Sequence, residues 1–263
     1  MTRVILFATA LLLSLMTNAQ VSENRTVGAF TKIKVSQGIE LIYIQSSSQE
    51  VKVETDDLQR MQYIKTEIEG STLKVYLDTK NAPKPEKKKR KKNYNSYNGV
   101  NFDVLKVYVS NNLVDDFKVS SSASLVVQNG LDAKNVMIDC SSSGSFTGTL
   151  KCSNVSIDAS SSSDVDANIV ADTVNVVTNS SADVELSGTT EKITIKSSSS
   201  ADCKAKNLIA KTAVVEASSS SDTVVYASEK LTASASSSAS ITYFGNPVNV
   251  DKSESSSGSV SNR

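Results

Sequence analysis

The chain has 263 residues, with 28 Lys plus Arg against 28 Asp plus Glu, three cysteines, no histidine and no tryptophan. Without histidine, Ser-His-Asp and Cys-His catalysis are excluded and the commonest metal ligand is missing. The even charge balance points to no class of partner, and three cysteines cannot complete a disulfide framework even in an exported compartment that would permit one.

Arg3 precedes an apolar run from Val4 to Met16 and then Thr17-Asn18-Ala19-Gln20. A short positive region, an apolar stretch too short for a bilayer and a small residue before the cut predict a secretory signal peptide over residues 1–19. No cysteine stands just after that cut, so no lipid anchor is expected there, and no later stretch is long enough for a transmembrane helix. The expected location is exported: the cell surface, the outer membrane or the periplasm.

Residues 20–110 read as a β-rich head. Period-two alternation predicts strands at Phe30–Val35, Glu40–Gln45, Val51–Thr55, Ile64–Glu69, Thr72–Leu77 and Val104–Val109, with a short aspartate-capped helical turn within Asp56–Tyr63. Residues 81–99 form a long basic loop carrying Lys84, Lys87, Lys88, Lys89, Arg90, Lys91 and Lys92 against one acidic residue, Glu86. Two readings stay open for it: a solvated loop with no partner, or an electrostatic contact with an acidic polymer, such as a polysaccharide, or with anionic headgroups. Nucleic acid fits poorly with export.

Residues 111–250 are a repeat. Serine runs end in Ser124, Ser145, Asp164, Asp183, Asp202, Asp222 and Ser240, spaced by 21, 19, 19, 19, 20 and 18 residues. Apolar residues keep phase with these anchors. Nine residues before each later anchor stand Val136, Val155, Val174, Ile193, Ala213 and Leu231; one residue after the anchors stand Leu125, Phe146, Val165, Val184, Cys203, Thr223 and Ile241. Period two within a coil and register between coils predict an all-β fold, a parallel β-helix (solenoid) of about seven 19-residue coils with three short strands each, the head covering its open end. The length variation falls between the strand after the anchor and the next inward Leu or Ile, which marks a variable loop. The serine runs read as sharp corners, where small side chains fit and hydroxyls bond nearby backbone. Residues 251–263 read as a polar tail.

Asp164, Asp183, Asp202 and Asp222 share one phase and should form a ladder, a weak calcium candidate because oxygen ligands repeat about every 5 Å. The glycine-rich calcium-binding nonapeptide is absent, and no other cofactor is expected. Cys140, Cys152 and Cys203 occupy three different inward columns and read as small core hydrophobes. No catalytic residue is identified.

Gly28-Ala29-Phe30, Ile33-Lys34-Val35-Ser36-Gln37-Gly38-Ile39-Glu40, the Leu73–Leu77 strand and the Ser-rich coils together resemble the putative auto-transporter adhesin, head GIN domain family. The Gly-Ile-Asn motif of that family's name is Gly38-Ile39-Glu40 here, a departure at the third position. The resemblance implies a right-handed β-helix in an exported bacterial protein with a role in adhesion, and it carries over no catalytic residue. The sequence therefore leads to a non-enzymatic surface or envelope protein that acts by binding, its surface ligand and oligomeric state unknown. The alternatives are a periplasmic scaffolding module without an external ligand and a polysaccharide-acting β-helix enzyme.

Overall fold

The structure, a computed structural model, describes residues 20–82 and 95–263. The expected signal peptide and the basic residues Lys84, Lys87, Lys88, Lys89, Arg90, Lys91 and Lys92 lie outside the described residues.

The head begins with β1 (Val21–Arg25), β2 (Lys32–Val35), β3 (Glu40–Gln45) and β4 (Glu50–Thr55). A single helical turn, α1 (Leu58–Met61), follows; the Asp57 carboxylate accepts the Gln59 N–H and caps it. Then come β5 (Ile64–Glu69), β6 (Thr72–Leu77), the short strands β7 (Asn95–Tyr97) and β8 (Val100–Phe102), and β9 (Leu105–Asn111). β7 and β8 form a hairpin over Asn98-Gly99, both at positive φ, at the end of the stretch read as a loop.

The solenoid proper runs through β10 (Asp116–Ser120), β11 (Ser124–Val127), β12 (Leu131–Ser141), β13 (Ser145–Ala159), β14 (Asp164–Thr178), β15 (Asp183–Ser197), β16 (Asp202–Ala217) and β17 (Asp222–Ala235). It closes with β18 (Ser240–Phe244), β19 (Asn249–Glu254) and β20 (Ser259–Asn262). Neighbouring coils pair in parallel, and in register apart from local shifts between β15 and β16 and between β16 and β17; Val155 pairs with Val174, which pairs with Ile193, which pairs with Ala213. Instead of three short strands, each central coil holds one ladder of 14–16 residues. At one point in each coil the pairing skips a residue, at Ser153, Asp172, Glu191 and Lys211, and in β17 it skips two, Ser228 and Glu229.

The seven anchors, three serines and four aspartates, all stand in the solenoid, and an eighth coil follows them. β19 pairs with β17 and β20 with β18, so the stretch from residue 251 is a coil where the sequence reading had a polar tail. It escaped notice because Lys252 and Glu254 occupy phases that are apolar or small in every earlier coil. The head is continuous with the solenoid as well: β2 and β3 pair in parallel with β10 and β11. On their other side β2 and β3 pair with β6 and β9, and antiparallel β1, β4 and β5 finish that end. The extra residues of the 20-residue coil bulge out between Ala205 and Ile209, in the segment expected to vary.

Each serine corner is a turn in which two consecutive serines take positive φ, from Ser121-Ser122 to Ser256-Ser257, eight pairs in all. The turn is closed by bonds such as Ala201 N–H to Ser198 O at 3.3 Å. Between coils, the second serine's N–H donates to the first serine's carbonyl in the next coil, as in Ser162 to Ser180 at 3.0 Å and Ser181 to Ser199 at 3.1 Å. The corner is thus held mainly by backbone; hydroxyls contribute at the buried positions flanking it, where Ser163 Oγ donates to Cys140 O, Ser221 Oγ to Ser197 O, Thr178 Oγ1 to Ala182 O and Ser197 Oγ to Ala201 O. One contiguous apolar core fills head and solenoid.

Candidate functional site

The four aspartates of the sequence reading do stack. Asp164 pairs with Asp183, Asp183 with Asp202, and Asp202 with Asp222. Asp166 and Glu185 stand two residues on, making an acidic face around a shallow depression of about 160 Å³ that only Lys204 relieves. Partial burial, then the charges of Asp183 and Asp222, push the Asp202 carboxyl above its usual range. Among the described residues no group of three or more His, Cys, Asp or Glu is arranged to hold a metal ion. The basic loop, the other candidate, lies outside the described residues.

A larger concavity lies elsewhere, along the skipped position. Where a residue drops out of the ladder the coil bends, and the residues before the bend are small: Ala133, Cys152, Ala171, Thr190 and Ala210 stack in successive coils. Thr190 Oγ1 donates to Asp172 O and Lys192 O, both at 3.2 Å, which satisfies carbonyls that the broken ladder leaves free. The result is a groove of about 670 Å³ along the outside of the rod, floored by Ala133, Cys152, Ala171 and Thr190 and reaching Ser228, with Ala210 buried beneath it.

One wall is the outward column Asp132, Lys151, Val170, Thr189 and Ile209, which runs on to Tyr226 and Phe244. Val170 and Ile209 are 48% and 44% exposed, large apolar side chains turned to solvent. The charges along the groove cancel in pairs: Lys151 with Asp132 at 3.8 Å, Lys211 with Glu191 at 2.7 Å. Asp172 alone is left over in the lining, so the groove repels rather than attracts a polyanion. The apolar wall escaped the sequence reading, which followed only inward phases. Its signal was there: Ile169-Val170 and Leu208-Ile209 put apolar residues side by side where strict alternation asks for a polar one.

All three cysteines are free thiols. Burial pushes Cys140 and Cys203 up to about 12 and half-buried Cys152 up to about 11. Cys152 lies on the groove floor, where a bulky reagent meets it before the other two.

The family model described as "Putative auto-transporter adhesin, head GIN domain" matches residues 29–168 and again 157–247. The chain belongs to that family. No curated protein matches it. Among solved structures the chain is similar to a "Putative lipid binding protein" from Parabacteroides distasonis, at 23% identity and TM-score 0.81, covering 94% of this chain and 98% of that one. A second structure from Parabacteroides distasonis, a "putative adhesin", shares 19% identity at TM-score 0.81, over 93% and 97% of the two chains. A "putative adhesin" from Bacteroides fragilis shares 20% identity at TM-score 0.64, over 93% and 97%. At these identities the likeness shows a shared fold. Among the described residues no helix is long and apolar enough to cross a membrane.

Proposed function

We propose that this adhesin-family chain is an exported binding protein that works without catalysis. Its ligand is an extended, uncharged polysaccharide strand lying along the groove of Ala133, Cys152, Ala171 and Thr190. The carrying observation is the groove itself: it crosses six coils from Asp132 to Ser228, its long axis follows the rod, and its lysines are already paired with carboxylates. A chain-like ligand can meet equivalent positions in successive coils, about 4.8 Å apart. The basic loop Lys84–Lys92 is a separate contact for acidic polymer or anionic headgroups, as its charge suggests.

A second reading rests on Val170 and Ile209. An apolar wall suits an acyl chain, and one structural neighbour is described as lipid-binding.

The test uses the groove's own thiol. Maleimide labelling of Cys152 is followed by mass spectrometry while polysaccharide fractions, or neutral phospholipid vesicles, are added. Protection by a polysaccharide, lost in Ile209→Arg without a fall in melting temperature, supports the first reading; protection by vesicles alone supports the second. If neither protects Cys152 and Ile209→Arg binds intact cells like the native chain, the groove has no such role. Export is tested separately: the mature N-terminus is expected at Gln20, and protease treatment of intact cells should release peptides from the Lys84–Lys92 loop while periplasmic controls survive.

A further inference from the structure

The two ends of the rod are finished differently. Antiparallel strands cover the head end, whereas the other end is a coil whose inward positions break the pattern of every coil before it. The column Ile33, Phe117, Ile138, Ile157, Val176, Ile195, Val215, Ala233 ends in Lys252. The column Val119, Cys140, Ala159, Thr178, Ser197, Ala217, Ala235 ends in Glu254.

Neither side chain points idly into solvent. Lys252 Nζ sits 4.7 Å from the centre of the Tyr243 ring and donates to Val260 O at 3.4 Å. Glu254 accepts the Val260 N–H at 2.6 Å. In a parallel ladder successive residues turn their backbone groups to opposite neighbours. Ser259 and Arg263 bond back to Ala239 and Tyr243, so the Val260 N–H and carbonyl face off the end, where a further strand would take them. The two charged side chains reach across the coil and occupy both groups.

We propose that Lys252 and Glu254 guard this edge against a second copy of the chain. An open parallel edge over an apolar core is a template for another strand, and inward-pointing charges are an established way to close one. A copy docking here would have to displace both contacts and bury two charges over Val250 and Tyr243. The rod is therefore kept from stacking end on end, and its flanks, including the groove, stay the accessible surface.

Lys252→Val with Glu254→Ala restores the pattern of both columns. Sedimentation velocity of the purified chain over a wide concentration range should show one species for the native protein and about tenfold or stronger self-association for the double variant. Adding Val250→Asp to that variant, on the same end, should reverse the association. Should the double variant fail to fold, Lys252→Gln with Glu254→Gln keeps the reach of both side chains without charge and should also associate more than native. A folded uncharged variant no more associated than native overturns the proposal, as does a native chain already paired through this end.

Discussion

A serine at positive φ is under strain, because its Cβ crowds the backbone in a way that glycine avoids; the cost is roughly 1 kcal/mol or more per residue. Among the described residues that conformation recurs sixteen times, in eight adjacent pairs. What offsets it is the ladder of N–H to carbonyl bonds from corner to corner, near 3.0 Å throughout. Ser200→Val adds β-branching at φ 57° and should cost about 1–2 kcal/mol, read as a lower melting temperature; Ser200→Gly should stay within about 0.5 kcal/mol, since relieved strain is opposed by greater freedom when unfolded. At the acidic face the sign is the reverse. Asp202 has a raised folded pKa, so its ionised form costs stability at neutral pH. That cost fades as pH falls through the raised value to the ordinary aspartate value near about 4. Asp202→Asn should therefore stabilise the protein at pH 7 by up to about 1 kcal/mol, an exposed-pair Coulomb estimate. The gain should shrink on acidification and in high salt, as thermal melts at two pH values would show.

At the scale of elements, the joint between head and solenoid is aromatic. Tyr43 on β3 meets Phe117 on β10 edge to face at 5.3 Å, and Phe117 meets Phe146 on β13 at 5.7 Å. The Tyr43 hydroxyl, its pKa raised to about 12 by burial, donates to Asn111 O at 2.6 Å. Phe117→Ala should cost about 3–5 kcal/mol, and limited proteolysis should then cut near this joint first. The columns of this core were legible in the sequence because each strand buries one face, and a period of two survives in Val155-Ser156-Ile157 as plainly as in Leu73-Lys74-Val75. Other elements were hidden for physical reasons. β1 carries no apolar alternation, being a partly exposed edge strand of Val21-Ser22-Glu23-Asn24-Arg25. The final coil puts Lys252 and Glu254 where the pattern demands apolar or small residues. The groove depends on a residue missing from the ladder, and no composition announces a missing pair.

For the molecule as a whole, each coil touches chiefly the coils beside it, so stability is close to a sum over coils and their interfaces. The serine corner is the feature that makes those coils interchangeable. Its ladder is written in backbone, and Asp183 stands directly over Asp202 in the register, so excising residues 184–202 joins two equivalent points and leaves every remaining pair in phase. The shortened chain should fold, melt somewhat lower, and lose about 4.8 Å of length by small-angle scattering. It would also lose the Thr189–Glu191 segment of the groove and nothing else of it. Reach is then a quantity this architecture can change in single steps, by duplication or loss of one 19-residue unit, without redesigning any surface. A ligand engaged along the flank should lose affinity in matching steps, so that the protein works as a ruler whose divisions are coils.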